Sequence, residues 1–474
     1  MKPAQDEHQA GSCIGIQESK GFSSPNTTRI RMRFPHPLVL LFACTVLAAV
    51  LSHVVPAGEF ERRKDSASGR TLVVPGSYHR VPANPVGFFQ TFIAVPQGMG
   101  KASEIIFLIF LVGGAFSVVD RTGTLRAGVG WLSGQLDGRE LLLIPICCIV
   151  FAIGGVVEGM FEEIIALLPV LVLLARRLGF DRVTALAMSL GAANIGGTFS
   201  SMNPFNVGLG QKLADLPLMS GTLFRMAVLI PALGIWTGGT LWHAFRTRSA
   251  KSDVAEDRAE PFKKNHLITL VLMIACFATY VFGAVKYEWG FDELSGLFFA
   301  MGIAAGLIGG LGVTGTAEAF VEGFRSMALA ALIVGVARAI YVVLDEGRIV
   351  DTMIQALVSP LSHLPNWLFG AGMTVVQTLI SIPVPSSSGQ ATLTLPILVP
   401  VSDLLGVSRQ VTVLAYQYGN GVLLFLPTHG ALMAMLSVAR VRYGDWIKFA
   451  VPLSLILFVY AVVAVGIAAG IGVK

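Results

Sequence analysis

The sequence has few charged residues: Asp, Glu, Lys and Arg together make up only 13% of its 474 residues. Soluble domains carry about 25%, because charged side chains cover the surface that faces water. In addition, 54% of the residues are hydrophobic, and the mean hydropathy is +0.71. This scarcity of charge excludes a soluble enzyme, a disordered protein and a nucleic-acid-binding domain, even though the sequence pI is near 9.0.

Cysteine and histidine are also scarce, with five and eight residues. The cysteines do not have the spacing of metal ligands or of a disulfide framework. The histidines are scattered and form no cluster with cysteine, which argues against a membrane enzyme. We expect free thiols at all five cysteines, which are Cys13, Cys44, Cys147, Cys148 and Cys276.

Long apolar runs, by contrast, recur along the chain. A transmembrane helix needs about 20 apolar residues, and several of these runs are short or interrupted by Gly and Pro, as in re-entrant half-helices. The sequence therefore predicts an all-α polytopic membrane protein. The apolar segments are 36–55, 104–120, 141–157, 161–177, 184–200, 222–245, 266–284, 292–312, 326–344, 366–383, 388–405, 410–427 and 448–472.

The positions of the basic residues predict an orientation. Residues 1–31 read as a disordered arm, and we interpret the apolar run after it as an uncleaved first span, with Met32 as an alternative start. The basic stretch 243–265 predicts a cytoplasmic linker, and the Pro- and Gly-rich stretch 56–103 predicts a long external loop. We therefore expect a multi-pass protein of the bacterial inner membrane whose N-terminus and linker are cytoplasmic.

The two membrane regions, 32–242 and 266–474, resemble each other. Residues 158–179 align with 385–406, so that Leu168-Pro169 matches Leu395-Pro396. We interpret this as an internal repeat. An odd number of crossings before the linker would invert the repeats and an even number would make them parallel, and the sequence leaves both open. Repeated halves with broken helices are typical of secondary transporters.

Four polar clusters interrupt the apolar runs, two in each half. Because polar groups are costly in lipid, such clusters indicate a cavity or a binding site, although aqueous loops and ordinary helix ends are the alternatives. The candidate ion-coupling residues are Glu158, Glu162, Glu163, Ser388 and His429. The candidate substrate-binding residues are Asn194, Ser200, Ser201, Asn203, Asn206, Arg338, Ser386, Ser387, Ser388, Gln390, Asn420 and Thr428.

Arg338 lies in the middle of an apolar run, where an arginine costs at least ~2.5 kcal/mol on insertion scales. It therefore needs an anionic partner. One alternative is a carboxylate of the first cluster (Glu158, Glu162 or Glu163), and the other is the substrate itself, since arginine suits a planar carboxylate.

These motifs resemble the C4-dicarboxylate anaerobic carrier (DcuC-like) family of the ion transporter superfamily, and most closely its YfcC-like branch. The resemblance covers residues 32–474 and rests on PHPLVLLF, VVPAGEFER, VVPGSYHRV, SSMNPFNVGLGQ, GVARAIYVVLDEGRIVDT and IPVPSSSGQATLTLPILVPVSDLLG. It implies a dimeric inner-membrane carrier in which a scaffold domain supports a transport domain with two re-entrant hairpins, which moves like an elevator. Better-known members of the superfamily have Ser-Asn-Thr motifs at both hairpin tips, and the carboxylates at the first tip here depart from that pattern.

The sequence thus predicts a secondary active transporter for a small carboxylate-bearing solute. Acidic and basic groups in one site favour an amino acid, and the YfcC-like resemblance implies antiport of basic amino acids. Sodium, protons or a counter-substrate would drive transport, with no other cofactor and no nucleic-acid partner. The alternatives are a C4-dicarboxylate symporter or exchanger and, from another class, an ion channel, against which two distinct half-sites argue.

Overall fold

The computed structural model describes residues 36–64, 71–135, 138–157, 159–248, 263–287 and 289–473. The predicted N-terminal arm, Glu158 and most of the predicted linker lie outside these residues. Within them the chain is mostly helical, and the four described cysteines are free thiols, as predicted.

Helices follow one another along most of the described chain. Their bounds are α1 (Pro37–Val54), α2 (Phe88–Lys101), α3 (Ser103–Arg121), α4 (Thr124–Gln135), α5 (Leu143–Val157), α6 (Ile164–Arg177), α7 (Arg182–Leu186), α8 (Ala192–Thr198), α9 (Leu209–Leu213), α10 (Thr222–Thr247), α11 (Lys264–Tyr287), α12 (Phe291–Ile308), α13 (Gly312–Glu346), α14 (Val350–Val358), α15 (Asn366–Ile380), α16 (Ser387–Leu404), α17 (Arg409–Gly421), α18 (Gly430–Val438) and α19 (Tyr443–Ile471). Short 3-10 helices (Glu140–Leu142, Ser359–His363) and π-helices (Ala187–Gly191, Pro204–Gly208) connect some of them.

Among the described residues, seven helical segments are long and apolar enough to cross a membrane. They are α1, α3, α10, α12, α13, α19 and the segment Glu140–Val157, which includes α5. Several other predicted segments are shorter than a crossing. For example, α6 has 14 residues, which corresponds to about 21 Å against a hydrocarbon layer of about 30 Å.

The stretch 56–103 is not entirely a loop, so this part of the prediction is wrong. It contains α2 as well as two short antiparallel pairs, β1 (Gly58–Glu59) with β4 (His79–Arg80) and β2 (Arg62–Lys64) with β3 (Thr71–Val73). The Gly and Pro content that indicated a loop partly belongs to α2, which includes Pro96. The Gln90 side chain starts this helix by accepting a hydrogen bond from the Gly87 N–H at 2.8 Å.

A buried carboxylate joins this stretch to α14. Asp351 accepts hydrogen bonds from the Phe60 N–H and from the Arg62 guanidinium, both at 2.9 Å. Burial raises the pKa of Asp351, whereas these two donors lower it, and the net direction is upward. The contact holds the start of α14 against the chain at Phe60 and Arg62.

The helices pack in two groups. In the α13 group, the long helix α13 contacts α1, α2 and α3, while α12 packs on α3 and α11 packs on α12. In the α17 group, α5 packs on α8, α15 packs on α17 and α19, α16 packs on α17, and α10 packs on α8 and α19. The helix α18 lies against α13 and so connects the two groups.

Candidate functional site

Two helical hairpins contain the predicted tips. Hairpin 1 is α5, a turn at 159–163 and α6, and hairpin 2 is α15, a turn at 381–386 and α16. Each hairpin packs against a helix that is broken near its middle. Broken helix 1 runs from α7 through α8 to a break at 199–203. Broken helix 2 is α17, a break at 422–429 and α18.

The turn of hairpin 1 is closed by a glutamate. Gly159 has φ of +79°, a conformation that favours glycine. Glu163 is 8% exposed, and its Oε2 accepts a hydrogen bond from the Phe161 N–H at 2.9 Å. The Tyr280 hydroxyl of α11 donates to Glu163 Oε1 at 3.5 Å. Both carboxylate oxygens of Glu163 therefore accept hydrogen bonds from the protein itself. The neighbouring carboxylate, Glu162, forms no ion pair among the described residues.

Two predicted binding residues hold the break of broken helix 1 in place. The Ser200 hydroxyl donates to the Val156 carbonyl and accepts from the Asn203 N–H, both at 2.8 Å. The Asn203 side-chain amide donates to the Gly155 carbonyl at 3.1 Å and accepts from the Asn206 N–H at 3.0 Å. These bonds satisfy backbone groups that the break leaves without helical partners. Ser200 and Asn203 thereby attach the break to the end of α5.

A chain of buried amides supports the turn of hairpin 2. Gln390 is fully buried, and its Nε2 donates to the Gln377 carbonyl at 2.7 Å and to the Gln377 side chain at 2.6 Å. Gln390 Oε1 accepts from the Asn420 amide, and Asn420 Oδ1 accepts from the Ser387 hydroxyl at 2.6 Å. Three predicted residues of hairpin 2 and broken helix 2 are thus brought together. Of the two other predicted serines, Ser386 caps α16, with its hydroxyl accepting from the Gly389 N–H at 3.3 Å, and Ser388 lies half-buried in the first turn.

The two broken helices cross where both are interrupted. The Asn194 amide donates to the Gly421 carbonyl at 2.8 Å, and the Gln417 amide donates to the Ser200 carbonyl at 2.7 Å. A Cβ atom on Gly421 would overlap Thr198, so the absence of a side chain allows this close approach. The structure therefore brings the polar stretch 194–206 and the polar stretch 417–421 together within the α17 group.

Sequence reasoning missed a second membrane arginine at this crossing. Arg225 of α10 is fully buried, and its guanidinium donates to Gln417 Oε1 at 3.0 Å and to Gln410 Oε1 at 3.0 Å. A further bond reaches the Ser220 carbonyl at 2.7 Å. Neutral oxygens thus satisfy its donors, and the Arg225–Gln417 pair orients the group that holds the Ser200 carbonyl. The available signal was an arginine within an apolar run, as for Arg338.

Arg338 lies on α13, next to the break of broken helix 2. A Cβ atom on Gly430 would lie 3.0 Å from Ala337 Cβ and 3.2 Å from Val334 Cα, which places the start of α18 against this part of α13. The guanidinium carbon of Arg338 lies 5.2 Å from the centre of the Tyr341 ring. Its Nε is buried without a hydrogen-bond partner, and within the described chain it forms no ion pair with Glu162 or Glu163.

Two hydroxyls in the breaks are also without partners. Ser201 Oγ in the first break and Thr428 Oγ1 in the second are buried, with no hydrogen bond among the described residues. Thr428 and His429 follow Pro427 and immediately precede α18. Buried polar groups almost always have partners, so an exception in a native fold calls for an explanation such as an ion or a ligand. Ser201 and Thr428 each offer a hydroxyl and Arg338 offers a cation, and these are groups that suit a carboxylate.

Each hairpin has an open end, which is the end away from its turn. The open ends of the two hairpins lie near opposite ends of α10. At its C-terminal end, Arg248 pairs with Glu140 before α5 at 3.3 Å, and His243 bonds Asp181 before α7 at 3.0 Å. Near its N-terminal end, the segment that leads into α10 bonds the start of α17, since the Gln410 amide donates to Ser220 Oγ at 2.8 Å. The 26 residues of α10 span about 39 Å. Hairpin 1 thus opens at one side of the molecule and hairpin 2 at the other.

Comparisons with known proteins agree with a transporter. The family model described as the C4-dicarboxylate anaerobic carrier, DcuC, matches residues 34–470. A protein of Escherichia coli strain K12 named "Putative basic amino acid antiporter YfcC" is 33% identical over 486 residues, which cover 92% of this chain and 96% of that protein. An uncharacterized protein of Haemophilus influenzae is 27% identical, with 89% and 94% covered.

Two solved structures are also similar. The YdaH transporter of Alcanivorax borkumensis, described as having an unusual topology, aligns over 92% of this chain and 99% of its own, with 18% identity and a TM-score of 0.43. MtrF of Neisseria gonorrhoeae, described as representing a class of antimetabolite efflux pumps, aligns over 92% and 95%, with 16% identity and a TM-score of 0.40.

Proposed function

The chain belongs to the C4-dicarboxylate anaerobic carrier family, and from this premise we propose that it is a secondary active transporter for a small solute that carries a carboxylate. The observation that carries the proposal is a set of buried polar atoms without hydrogen-bond partners: Ser201 Oγ and Thr428 Oγ1 in the two breaks, and Arg338 Nε on α13. The carboxylate binds these groups between the hairpin turns. Ser387, Gln390 and Asn420 line one side of this site, and the hydrogen bonds among them hold the turn of hairpin 2 in place.

The favoured substrate is an amino acid, exchanged for a counter-substrate. In this arrangement Arg338 holds the carboxylate, and the carboxylates of the first tip, Glu158 and Glu162, hold the ammonium group or a coupling cation. The name of the Escherichia coli relative, a basic amino acid antiporter, supports this assignment. Ser388 and His429 complete the candidate groups for a sodium ion or a proton.

A C4-dicarboxylate is the second candidate. One observation favours it: within the described residues, Arg338 has no acidic partner, and both oxygens of Glu163 are occupied by the fold. A buried cation without an acidic partner, near hydroxyls that can donate, suits a second carboxylate. The family description names such substrates.

The transport cycle is proposed to be of the elevator type, with inverted repeats. The opposite openings of the two hairpins along α10 support an inverted relation between the halves 32–242 and 266–474. In this proposal the α17 group is the transport domain and the α13 group is the scaffold that forms a homodimer. Arg338 of α13 then holds the carboxylate in one end state only and releases it when the transport domain moves. The N-terminus and the stretch 243–265 lie on the cytoplasmic side of a bacterial inner membrane, as the basic residues favour.

A thermal-shift screen of the purified protein tests the substrate assignment. Arginine, lysine, ornithine, fumarate and succinate are each combined with sodium, potassium and a pH series, because a ligand of the folded state raises the melting temperature by mass action. A true substrate is expected to stabilise the wild type and to lose this effect in Arg338→Gln. The effect should be unchanged in Arg325→Gln, an exposed arginine on the same helix.

The outcomes separate the two substrate classes. Stabilisation by a basic amino acid that is lost in Glu162→Gln supports the amino acid. Stabilisation only by fumarate or succinate replaces it with the dicarboxylate. If neither class acts, or if Arg338→Gln responds like the wild type, the proposed site is wrong. In liposomes, uptake that saturates and requires counter-substrate supports a carrier, whereas an ohmic current would indicate a channel.

A further inference from the structure

A cavity of about 910 Å³ lies away from the proposed transport site, at the C-terminal end of α10. Its walls are the start of α7, the last turns of α10, the segment 440–442 and the first half of α19. This is the side of the molecule at which hairpin 1 opens. Its lining does not include Ser201, Thr428 or Arg338 of the proposed transport site, so the cavity is a separate site.

The charges in this cavity are predominantly positive. Its lining contains four basic residues against two carboxylates, a formal excess of +2 with histidine neutral; the basic residues are Arg182, Arg440, Arg442 and Lys448. Asp445 pairs with Arg442 at 2.7 Å, and His243 bonds Asp181 at 3.0 Å. Burial raises the pKa of Asp181, but hydrogen bonds from His243 and Thr184 outweigh it and hold the pKa below its usual value. Both acids therefore already have partners.

Three cations are left without an acidic partner in the described chain. Arg182 donates only to a carbonyl, that of Arg440, at 3.2 Å. Arg440 and Lys448 have no ion pair among the described residues. The three side chains come from α7, the 440–442 segment and α19, so they converge on the cavity from different elements. This arrangement suits one anion of the phosphate class.

Beyond the basic residues, the lining of the cavity is mostly apolar, and part of it is exposed. Lys448 is followed along α19 by Phe449, Pro452, Leu453 and Ile456, all in the lining. Ile456 is 52% exposed, and Trp242 on the facing helix α10 is 63% exposed. Charge therefore lies at the end of two membrane-spanning helices, and apolar surface lies along them. An amphiphile with an anionic head and an acyl chain fits this order, whereas a soluble anion leaves the apolar part unfilled.

We propose that this cavity binds an anionic phospholipid, with the phosphate on Arg182, Arg440 and Lys448 and an acyl chain along Leu453, Ile456 and Trp242. The lipid bridges α10 and α19 of the α17 group, and its binding stabilises the end of the molecule at which hairpin 1 opens.

Lipid titration of the purified chain in detergent tests this site. Phosphatidylglycerol is expected to raise the melting temperature by several degrees, while phosphatidylethanolamine and inorganic phosphate have no comparable effect. The double variant Arg440→Gln/Lys448→Gln should bind phosphatidylglycerol roughly 30-fold more weakly, since each basic residue near a membrane surface contributes about fivefold. Native mass spectrometry should show one retained lipid lost in the variant.

Two controls make the result decisive. Arg63→Gln/Lys64→Gln removes the same charge from the exposed strand β2 and should bind the lipid like the wild type. Arg440→Lys/Lys448→Arg keeps the charges and should restore binding, which separates loss of the site from loss of folding. The proposal would be overturned if phosphatidylglycerol stabilised Arg440→Gln/Lys448→Gln as much as the wild type. It would also be overturned if inorganic phosphate alone stabilised the wild type as much as the lipid does.

Discussion

Single side-chain amides carry much of the structure at the second hairpin turn, and Gln390 is the central one. Replacing Gln390 with Leu removes the acceptor of the Asn420 amide and the donor to Gln377 in a fully buried place. Each buried group left unsatisfied costs about 1–3 kcal/mol. We expect Gln390→Leu to lower the melting temperature by several degrees and to abolish ligand-induced stabilisation, as measured by thermal unfolding.

Thr392→Val is the matched control for this prediction. Thr392 is half-buried two residues further along α16, and its hydroxyl donates only to the Gly389 carbonyl of its own helix, at 2.9 Å. We expect a change of less than ~1 kcal/mol, because a local bond of this kind contributes little. Similar melting temperatures for the two variants would contradict a central role of Gln390.

Part of this residue-level picture was accessible from the sequence. Ser387, Gln390 and Asn420 belong to clusters of polar residues, and such clusters are visible as interruptions of apolar runs. Gln377 was missed, because a lone amide in an apolar run has no local pattern, whereas Arg225 carried the same signal as Arg338 and was overlooked. The two side-chain partners of Arg225, Gln417 and Gln410, lie 192 and 185 residues away in the chain, so only the folded structure reveals them.

At the level of helices, the contact between α5 and α8 depends on glycine. A Cβ atom on Gly155 would overlap the backbone carbonyl of Ala193, whereas one on Gly154 would meet the flexible end of Met160 at 3.1 Å. Alanine in a helix is favoured over glycine by up to ~1 kcal/mol, but overlap with backbone costs ~1–3 kcal/mol or more. We expect Gly155→Ala to destabilise the protein and to reduce transport.

Gly154→Ala is the companion variant in the same helix. It should be neutral or slightly stabilising, since Met160 can adjust. The comparison uses thermal unfolding together with uptake in liposomes. If Gly155→Ala unfolds at the same temperature as Gly154→Ala and transports equally well, hairpin 1 does not require the close contact with broken helix 1.

The helices were predictable from the sequence wherever a long apolar run determines that the segment spans the membrane. Long apolar runs became α1, α3, α10, α12 and α19, since a spanning helix satisfies its own backbone. Gly and Pro within and after the apolar segment 410–427 predict a broken helix, and the helix is interrupted there, since α17 stops at Gly421 and α18 begins at Gly430. The carbonyls freed by this break are bound by distant residues. For example, the Trp446 indole donates to the Leu424 carbonyl at 2.9 Å.

For the whole molecule, the class of protein follows from composition alone, since low charge and recurrent apolar runs require a membrane. The division into an α13 group and an α17 group does not, because it depends on which apolar faces meet, and apolar runs carry little information about their partners. The structure supplies a place to test the proposed motion, the contact of α18 with α13 at Gly430 and Ala337.

An elevator cycle requires this contact to slide. A Cβ atom on Gly430 would lie 3.0 Å from Ala337 Cβ, close to the ~3.5–4.5 Å that a disulfide requires. In a background in which the native cysteines are replaced, oxidation of Gly430→Cys/Ala337→Cys is expected to stop uptake in liposomes, and reduction is expected to restore it. Each preparation is compared before and after oxidation, so that any direct effect of the two substitutions on the nearby site cancels.

A disulfide inside the α17 group should behave differently. The Cβ position of Gly370 on α15 is 3.4 Å from Ala469 Cβ on α19, and the two helices belong to the same group. If the group moves as a rigid body, Gly370→Cys/Ala469→Cys should keep its uptake rate when oxidised, because that disulfide joins parts that move together. Inhibition by both disulfides would indicate rearrangement within the α17 group. Inhibition by neither would mean that transport proceeds without displacement of α18 along α13, which contradicts the elevator cycle.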